Sequence, residues 1–169
     1  MARREKGPTK TNAMRELDSA GIAYEAREYE HGVGVPGRHL GDSVAAALGE
    51  DPDACFKTLV CEEPSGGHVV CCVPVSCEVD LKKAAAAAGV KRLELVPVAS
   101  IERLTGYVRG GCSPVGMRRP FPTIIDEAAT LFDSVAVSGG RLGLQLVLDP
   151  TDLVAFTGAH LADITREGN

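Results

Sequence analysis

Apolar positions along the chain switch several times between helical and strand spacing. Ala13, Met14, Leu17 and Ala20 fall on one helical face, with Thr11 or Asn12 as the cap and Gly21 as the stop. In residues 22–29 the spacing contracts to two, because Ile22, Tyr24 and Ala26 alternate with polar residues, which predicts a strand. Residues 30–41 are rich in glycine and proline, carry His31 and His39, and read as a long connection able to cover a site. Asp42 then caps a short alanine-rich helix that runs to Leu48 and ends at Gly49. Residues 54–61 form a predicted strand, turned at Pro64-Ser65-Gly66-Gly67 into an almost wholly apolar strand over 68–75. Asp80 opens a helix over 81–88 closed by Gly89, followed by a strand over 90–96 and a short helix over 97–104. Further strands are predicted at 122–126, at 135–137 and, beyond the Ser138-Gly139-Gly140 turn, at 142–148. Asp149 and Pro150 start the last helix by a cap and a first-turn proline, and residues 159–164 read as a final strand. Strands and helices mix without a regular β-α-β rhythm. The pattern predicts a single α+β domain, with a mixed, largely antiparallel sheet or barrel flanked by helices.

The length of 169 residues suits one domain with one substantial core. Residues 1–10 carry Arg3, Arg4, Lys6 and Lys10 without apolar periodicity and read as a mobile basic tail, leaving 11–169 as the folded domain. A net charge of −5, only 4% aromatics and no tryptophan argue against a broad nucleic-acid surface or a base-stacking platform, and so against a DNA-binding protein. A local basic patch is compatible with these numbers. No apolar run approaches the ~18–20 residues that span a bilayer, and none follows Arg3-Arg4 as a secretion signal requires. The expected location is the cytoplasm. Six cysteines (Cys55, Cys61, Cys71, Cys72, Cys77 and Cys112) lie mostly in apolar strand-like runs and are expected as reduced core thiols. With no C-x-x-C pair and with scattered histidines, neither a metal nor another cofactor is expected.

Two stretches ask for chemistry. Residues 104–116 hold four glycines, a proline, a serine and a cysteine, too many breakers for a helix or a central strand. As a shaped loop, the N–H groups around Gly110, Gly111 and Cys112 could converge on an oxyanion or a phosphate; a plain surface turn has the same composition. Lys57 interrupts a strand and shares its period-two face with Cys55, Leu59 and Cys61. An inward lysine asks for an anionic or polar partner, whereas one near a strand end can snorkel to water. No nucleophile elbow, Walker loop, dinucleotide fingerprint or zinc-protease motif occurs. Cys112 as a nucleophile is a further reading, with no histidine near it in sequence. A strand lysine and a donor-rich loop suit a reaction in which the substrate supplies its own nucleophile.

Several spaced motifs agree with one family. Phe56-Lys57-Thr58-Leu59, Asp80-Leu81-Lys82-Lys83-Ala84, Thr105-Gly106-Tyr107 with Gly110-Gly111-x-Ser113-Pro114-x-Gly116, Pro122-Thr123-Ile124-Ile125-Asp126 and Val137-Ser138-Gly139-Gly140 occur in the order and spacing of the YbaK/EbsC family. That family comprises bacterial Cys-tRNA(Pro) deacylases, similar to the editing insertion domain of prolyl-tRNA synthetase. The resemblance runs from Thr11 to Ile164 and implies a free-standing enzyme that cleaves the ester between a wrong amino acid and the acceptor end of tRNA(Pro). It implies no metal and no protein nucleophile. Lys57 would be the essential residue at the terminal adenosine, Gly110, Gly111, Cys112, Ser113 and Pro114 would contact the ester through main-chain groups, and Tyr29 and Ser138 would belong to the pocket. In cysteine-specific members the substrate thiol is proposed to attack the ester; in alanine editors a tRNA hydroxyl or water does so. Two positions depart from the pattern: Gln145 stands where the family pocket often has an aspartate, and Leu40 where an aromatic commonly precedes a glycine. Alternatives to Cys-tRNA(Pro) are Ala-tRNA(Pro) or a non-catalytic aminoacyl- or nucleotide-binding module, and prolyl-tRNA synthetase is the implied partner protein.

Overall fold

The computed structural model describes residues 9–30 and 40–167. Most of the predicted basic tail, the core of the predicted covering connection, and His31 and His39 lie outside these residues. The described elements are α1 (Asn12–Ser19), β1 (Glu25–Glu28), α2 (Leu40–Leu48), β2 (Phe56–Glu62), β3 (His68–Pro74), β4 (Cys77–Val79), α3 (Leu81–Ala88), β5 (Glu94–Leu95), α4 (Ile101–Thr105), β6 (Thr123–Asp126), β7 (Val135–Ser138), β8 (Leu144–Leu148), α5 (Pro150–Thr157), β9 (His160–Ala162) and β10 (Thr165–Glu167). Strands β5-β2-β3-β6-β9 form one sheet, β1-β8-β7 a second and β10-β4 a third. Five strand pairings are antiparallel and two, β3 with β6 and β6 with β9, are parallel. A parallel bridge between Cys55 and Ala136 ties the first two sheets together. The α+β class with a largely antiparallel sheet system agrees with the apolar pattern.

β3 is the central strand because it is apolar on both faces. Val70 and Cys72 point into a cluster with Ile125, Val115, Val137 and the helix α1 residues Met14 and Leu17. Cys71 and Val73 point the other way, onto Ala84 and Ala85 of α3 and onto Ile164. Each fully buried aliphatic side chain contributes about 1.5–3 kcal/mol, so this sandwiched strand fixes where both layers sit. The helix signals act as expected: Thr11 Oγ1 accepts from Met14 N, and Asp80 accepts from Lys82 N and Lys83 N.

Four boundaries differ from the sequence pattern, each for a local reason. The strand in 22–29 is only Glu25–Glu28, and its inward phase changes: Ile22 and Tyr24 are half-buried, Ala26 is exposed, and Arg27 turns in toward Glu50. α2 already begins at Leu40, so Asp42 lies inside it rather than capping it. In 90–96 only Glu94–Leu95 is strand, since Val90 N still donates to Ala85 O at the end of α3. The predicted terminal strand breaks at Asp163-Ile164, where the buried Asp126 side chain takes the Ile164 N–H at 3.0 Å and diverts the chain from β9 to β10.

Candidate functional site

The site follows from how β2 is paired. On the edge away from β3, β2 meets β7 at Cys55–Ala136 and β5 at Cys61 and Glu62. Over residues 57–59, between those points, no strand pairs with that edge among the described residues. Continued by two residues, the parallel register puts Lys57 level with Ser138. Ser138 pairs with Gln145, and Gln145 with Arg27. Directly paired residues share a face, so Ser138, Gln145 and Arg27 form one polar row across β7, β8 and β1, and Lys57 has the phase of that row on β2 without being paired to it. Tyr29, two residues beyond Arg27, falls on the same side; it is half-buried and its N–H donates to Gly143 O at 3.0 Å. Three residues far apart in sequence thus pair on one face, with Lys57 in phase with them on β2. Leu40 is the first residue of α2.

The glycine loop closes against the same hairpin. An added Cβ at Gly111 would lie 2.9 Å from the backbone of Arg141, in the β7–β8 turn, so only glycine permits this approach. Tyr107 pins the loop from beneath: its hydroxyl donates to Val115 O at 2.7 Å, and its ring packs under Gly140. Gly116, at φ +78, sits close to the Tyr107 hydroxyl, and Asn12 Nδ2 donates to its carbonyl at 2.7 Å. Thr11 Oγ1 donates to Gly139 O at 2.6 Å, joining the start of α1 to the second glycine turn. The motif Thr105-Gly106-Tyr107 is therefore a clamp for the loop. Sequence reasoning singled out the motif without this role, because Tyr107 looks like any core aromatic.

Within the loop the predicted groups divide. Gly111 N–H is committed to Val108 O at 3.0 Å, so it serves the turn rather than a ligand. The Cys112 side chain is buried against Val60, Leu104 and Tyr107, and burial pushes its thiol up to about 11. At neutral pH that leaves on the order of one thiolate in ten thousand, which removes Cys112 as an activated nucleophile. Ser113 is fully buried and its hydroxyl accepts from Val115 N at 3.2 Å. Pro114 is buried, and Gly110 adopts φ +82. Cys112 and Ser113 therefore face the interior with their side chains and offer the site only backbone.

Charge in the row is arranged in pairs. The Lys57 side chain retains 27% exposure, and its Nζ lies 4.0 Å from Glu78 Oε1, at the outer limit of an ion pair. Both sequence readings of this lysine hold in part: it has an anionic neighbour and it reaches solvent. Arg27 donates to Glu50 Oε2 at 2.8 Å, and the Glu50 side chain is only 7% exposed. The thiol of Cys55 donates to Glu50 Oε1 at 3.5 Å; burial and this carboxylate push it up to about 12, offset in part by a hydrogen bond from Gln145. Gln145 is 8% exposed and its Oε1 has no hydrogen-bond partner among the described residues. A buried unpaired amide oxygen costs about 1–3 kcal/mol. The Arg27–Glu50 pair was not legible in the sequence, since it depends on β1 and the end of α2 meeting over β8. No group of three or more His, Cys, Asp or Glu is placed to hold a metal ion among the described residues.

A half-buried lysine on β2 and a glycine loop packed against the β7–β8 turn are the two features that the motif resemblance singled out. The model of the aminoacyl-tRNA editing domain matches residues 36–156. The chain belongs to that family, as the motif resemblance implied. It is 40% identical, over 97% of its length and 98% of the relative's, to EbsC of Enterococcus faecalis (strain ATCC 700802 / V583), named as a candidate Cys-tRNA(Pro)/Cys-tRNA(Cys) deacylase. It is 26% identical, over 65% of its length and 68% of the relative's, to the multifunctional Ser/Thr-tRNA deacylase ProXp-y of Escherichia coli (strain K12). Among solved structures, a candidate trans-editing enzyme for prolyl tRNA synthetase superposes with a TM-score of 0.82 at 25% identity, covering 96% of this chain and 99% of the other. The protein is an aminoacyl-tRNA deacylase that acts on mischarged tRNA. No helix among the described residues is long and apolar enough to cross a membrane.

Proposed function

We propose that this deacylase removes cysteine from Cys-tRNA(Pro) in the cytoplasm, using the substrate's own thiol. The observation that carries the reading is the polar row of Ser138 and Gln145, with Lys57 in phase with it on β2, beside the clamped loop. Lys57 places its ammonium at the acceptor end, where it neutralises the terminal phosphate or the oxyanion that forms at the ester carbonyl. The main chain of Gly110, Cys112 and Ser113 holds the ester, and Tyr29 borders the amino-acid side of the pocket. The cysteine thiol gives up its proton and attacks the carbonyl carbon. A C–S bond forms, the C–O bond to the ribose breaks, and the ribose oxygen takes a proton. The products are free tRNA and a cyclic thioester of cysteine, which water opens.

Gln145 sets the character of the pocket. A carboxylate at this position would pair with the substrate ammonium by charge; the amide oxygen accepts a hydrogen bond instead, and the buried unpaired Oε1 is supplied with a donor when substrate enters. The name of EbsC supports cysteine as the amino acid removed, and the naming of the structural neighbour as a trans-editing enzyme for prolyl tRNA synthetase supports that synthetase as a partner that delivers tRNA. The test is release of labelled amino acid from Cys-, Ala-, Ser- and Pro-tRNA(Pro). Cysteine leaving fastest agrees with thiol attack. Preferred release of alanine means that water or a tRNA hydroxyl is the nucleophile, and no release from any of them leaves a binding module.

A further inference from the structure

The chain is acidic overall, yet its charge is unevenly placed. Residues 91–119 carry six lysines and arginines against two glutamates, while the remaining residues carry twelve against twenty-one acidic groups. This stretch is also the one that builds the clamped loop. Arg103, Arg109, Arg118 and Arg119 are all exposed. None of the four makes an ion pair with a carboxylate among the described residues, which they share with Arg15, Lys82, Lys91 and Arg166 but not with Lys10, Arg27, Lys57, Lys83, Arg92 and Arg141.

The fold brings Arg118 against Arg103. Arg118 N donates to Thr105 O at 2.8 Å, which lays the chain after the loop along the end of α4. Arg118 Nη1 then donates to Arg103 O at 3.4 Å, and the Arg118 side chain passes 3.7 Å from where a Cβ on Gly106 would stand. Arg119 follows directly, and Arg109 immediately precedes Gly110 at the mouth of the loop. The four arginines therefore lie on the segments that flank the loop on either side, α4 with its continuation to Gly110 and the chain after Gly116. Unpaired exposed arginines on an acidic protein are held apart from the carboxylates that would neutralise them, and forked guanidinium groups match phosphate oxygens.

We infer that Arg103, Arg109, Arg118 and Arg119 form a docking surface for the sugar-phosphate backbone of the tRNA acceptor arm, which positions the charged 3′ end at Lys57. The surface rests on the tRNA substrate of the function proposed above. It reads no sequence, because phosphate contacts fix register and orientation but carry no base information. It supplies the local attraction that a net charge of −5 otherwise denies the protein.

The experiment compares two double variants that remove the same charge: Arg109→Gln with Arg119→Gln in this arginine ridge, and Arg15→Gln with Lys82→Gln at exposed positions of α1 and α3. A fluorescent tRNA(Pro) acceptor-stem hairpin is titrated with each protein between 50 and 300 mM KCl, alongside deacylation of Cys-tRNA(Pro). At a duplex slope of about 0.9 per neutralised phosphate, each contact is worth a factor of about 8 at 0.1 M salt, so the ridge double should bind about 60-fold more weakly and with a salt slope shallower by about 1.8. Arg103→Gln alone, on α4 away from the loop, should lose about eightfold. Deacylation at limiting tRNA should fall in step with binding in the ridge variants and hold at the wild-type rate in the α1/α3 double. Equal losses in the two doubles, or an unchanged salt slope in the ridge double, would overturn the surface. Wild type that binds the hairpin but releases no amino acid refutes the proposed reaction while leaving the ridge standing.

Discussion

Replacing Tyr107 by phenylalanine removes one oxygen and tests whether the glycine loop is held in shape from below. The ring stays, so the packing under Gly140 and against Val60, Leu104 and Cys112 is retained. What is lost is the 2.7 Å hydrogen bond to Val115 O, whose residue is fully buried and gains no water in exchange. A buried acceptor left unpaired costs about 1–3 kcal/mol. For a domain of this size each kcal/mol lowers Tm by about 2–4 °C, so the melting point should fall by roughly 2–12 °C. The loop that presents Gly110 and the Cys112 backbone should loosen at the same time, and a misplacement of about 1 Å costs up to ~100-fold in rate. Thermal melts and single-turnover deacylation on the same preparation read both effects. A variant that melts within about 1 °C of wild type and keeps full activity would refute the clamp.

Asp126→Ala should destabilise by about 2–5 kcal/mol, because it leaves the Ala128 and Ile164 N–H groups, both now at 3.0 Å from its carboxylate, without acceptors. Faster hydrogen exchange at Ile164 should accompany the lower urea midpoint, and protected exchange there would contradict the role given to Asp126. Alkaline pH should destabilise the protein through its buried thiols: Cys55 and Cys72 are held up to about 12 and Cys112 to about 11, against 9.0 for an unperturbed thiol. Above pH 9 the unfolded chain binds fewer protons than the folded one, so stability is level below that value and falls as pH rises toward 11–12, by up to about 1.4 kcal/mol per pH unit for each thiol. Urea unfolding under reductant at pH 7.5 and pH 10 checks this, and equal midpoints would count against it.

Elements with a cap, a turn or a continuous apolar run were legible in the sequence. Thr11, Asp80 and Asp149 cap the helices expected of them, and the β2–β3 hairpin turns where the glycines lie. The β1 phase was not legible, because what turns Arg27 inward is Glu50, a residue brought over the sheet only by tertiary structure. Nor was the break at Ile164, which rests on a side-chain acceptor 38 residues earlier in the chain. In the candidate site, Lys57 stood out as a charge in an apolar strand, but the row of Ser138, Gln145 and Arg27 is a matter of register across three strands. The glycine loop was visible by composition, while the reason for Gly111, contact with the Arg141 backbone, belongs to packing.

The central claim is that Lys57 acts on the acceptor end of a mischarged tRNA. Its most direct test is single-turnover release of cysteine from Cys-tRNA(Pro) by wild type and by Lys57→Ala, with melting curves of both proteins. The rate should fall by about 100-fold to 1,000-fold, the scale of removing one stabilising donor from a developing oxyanion, with the melting point unchanged because the ion pair of the lysine among the described residues is a long 4.0 Å contact to Glu78. A Lys57→Ala protein that melts like wild type and still releases cysteine within a few-fold of its rate would contradict it.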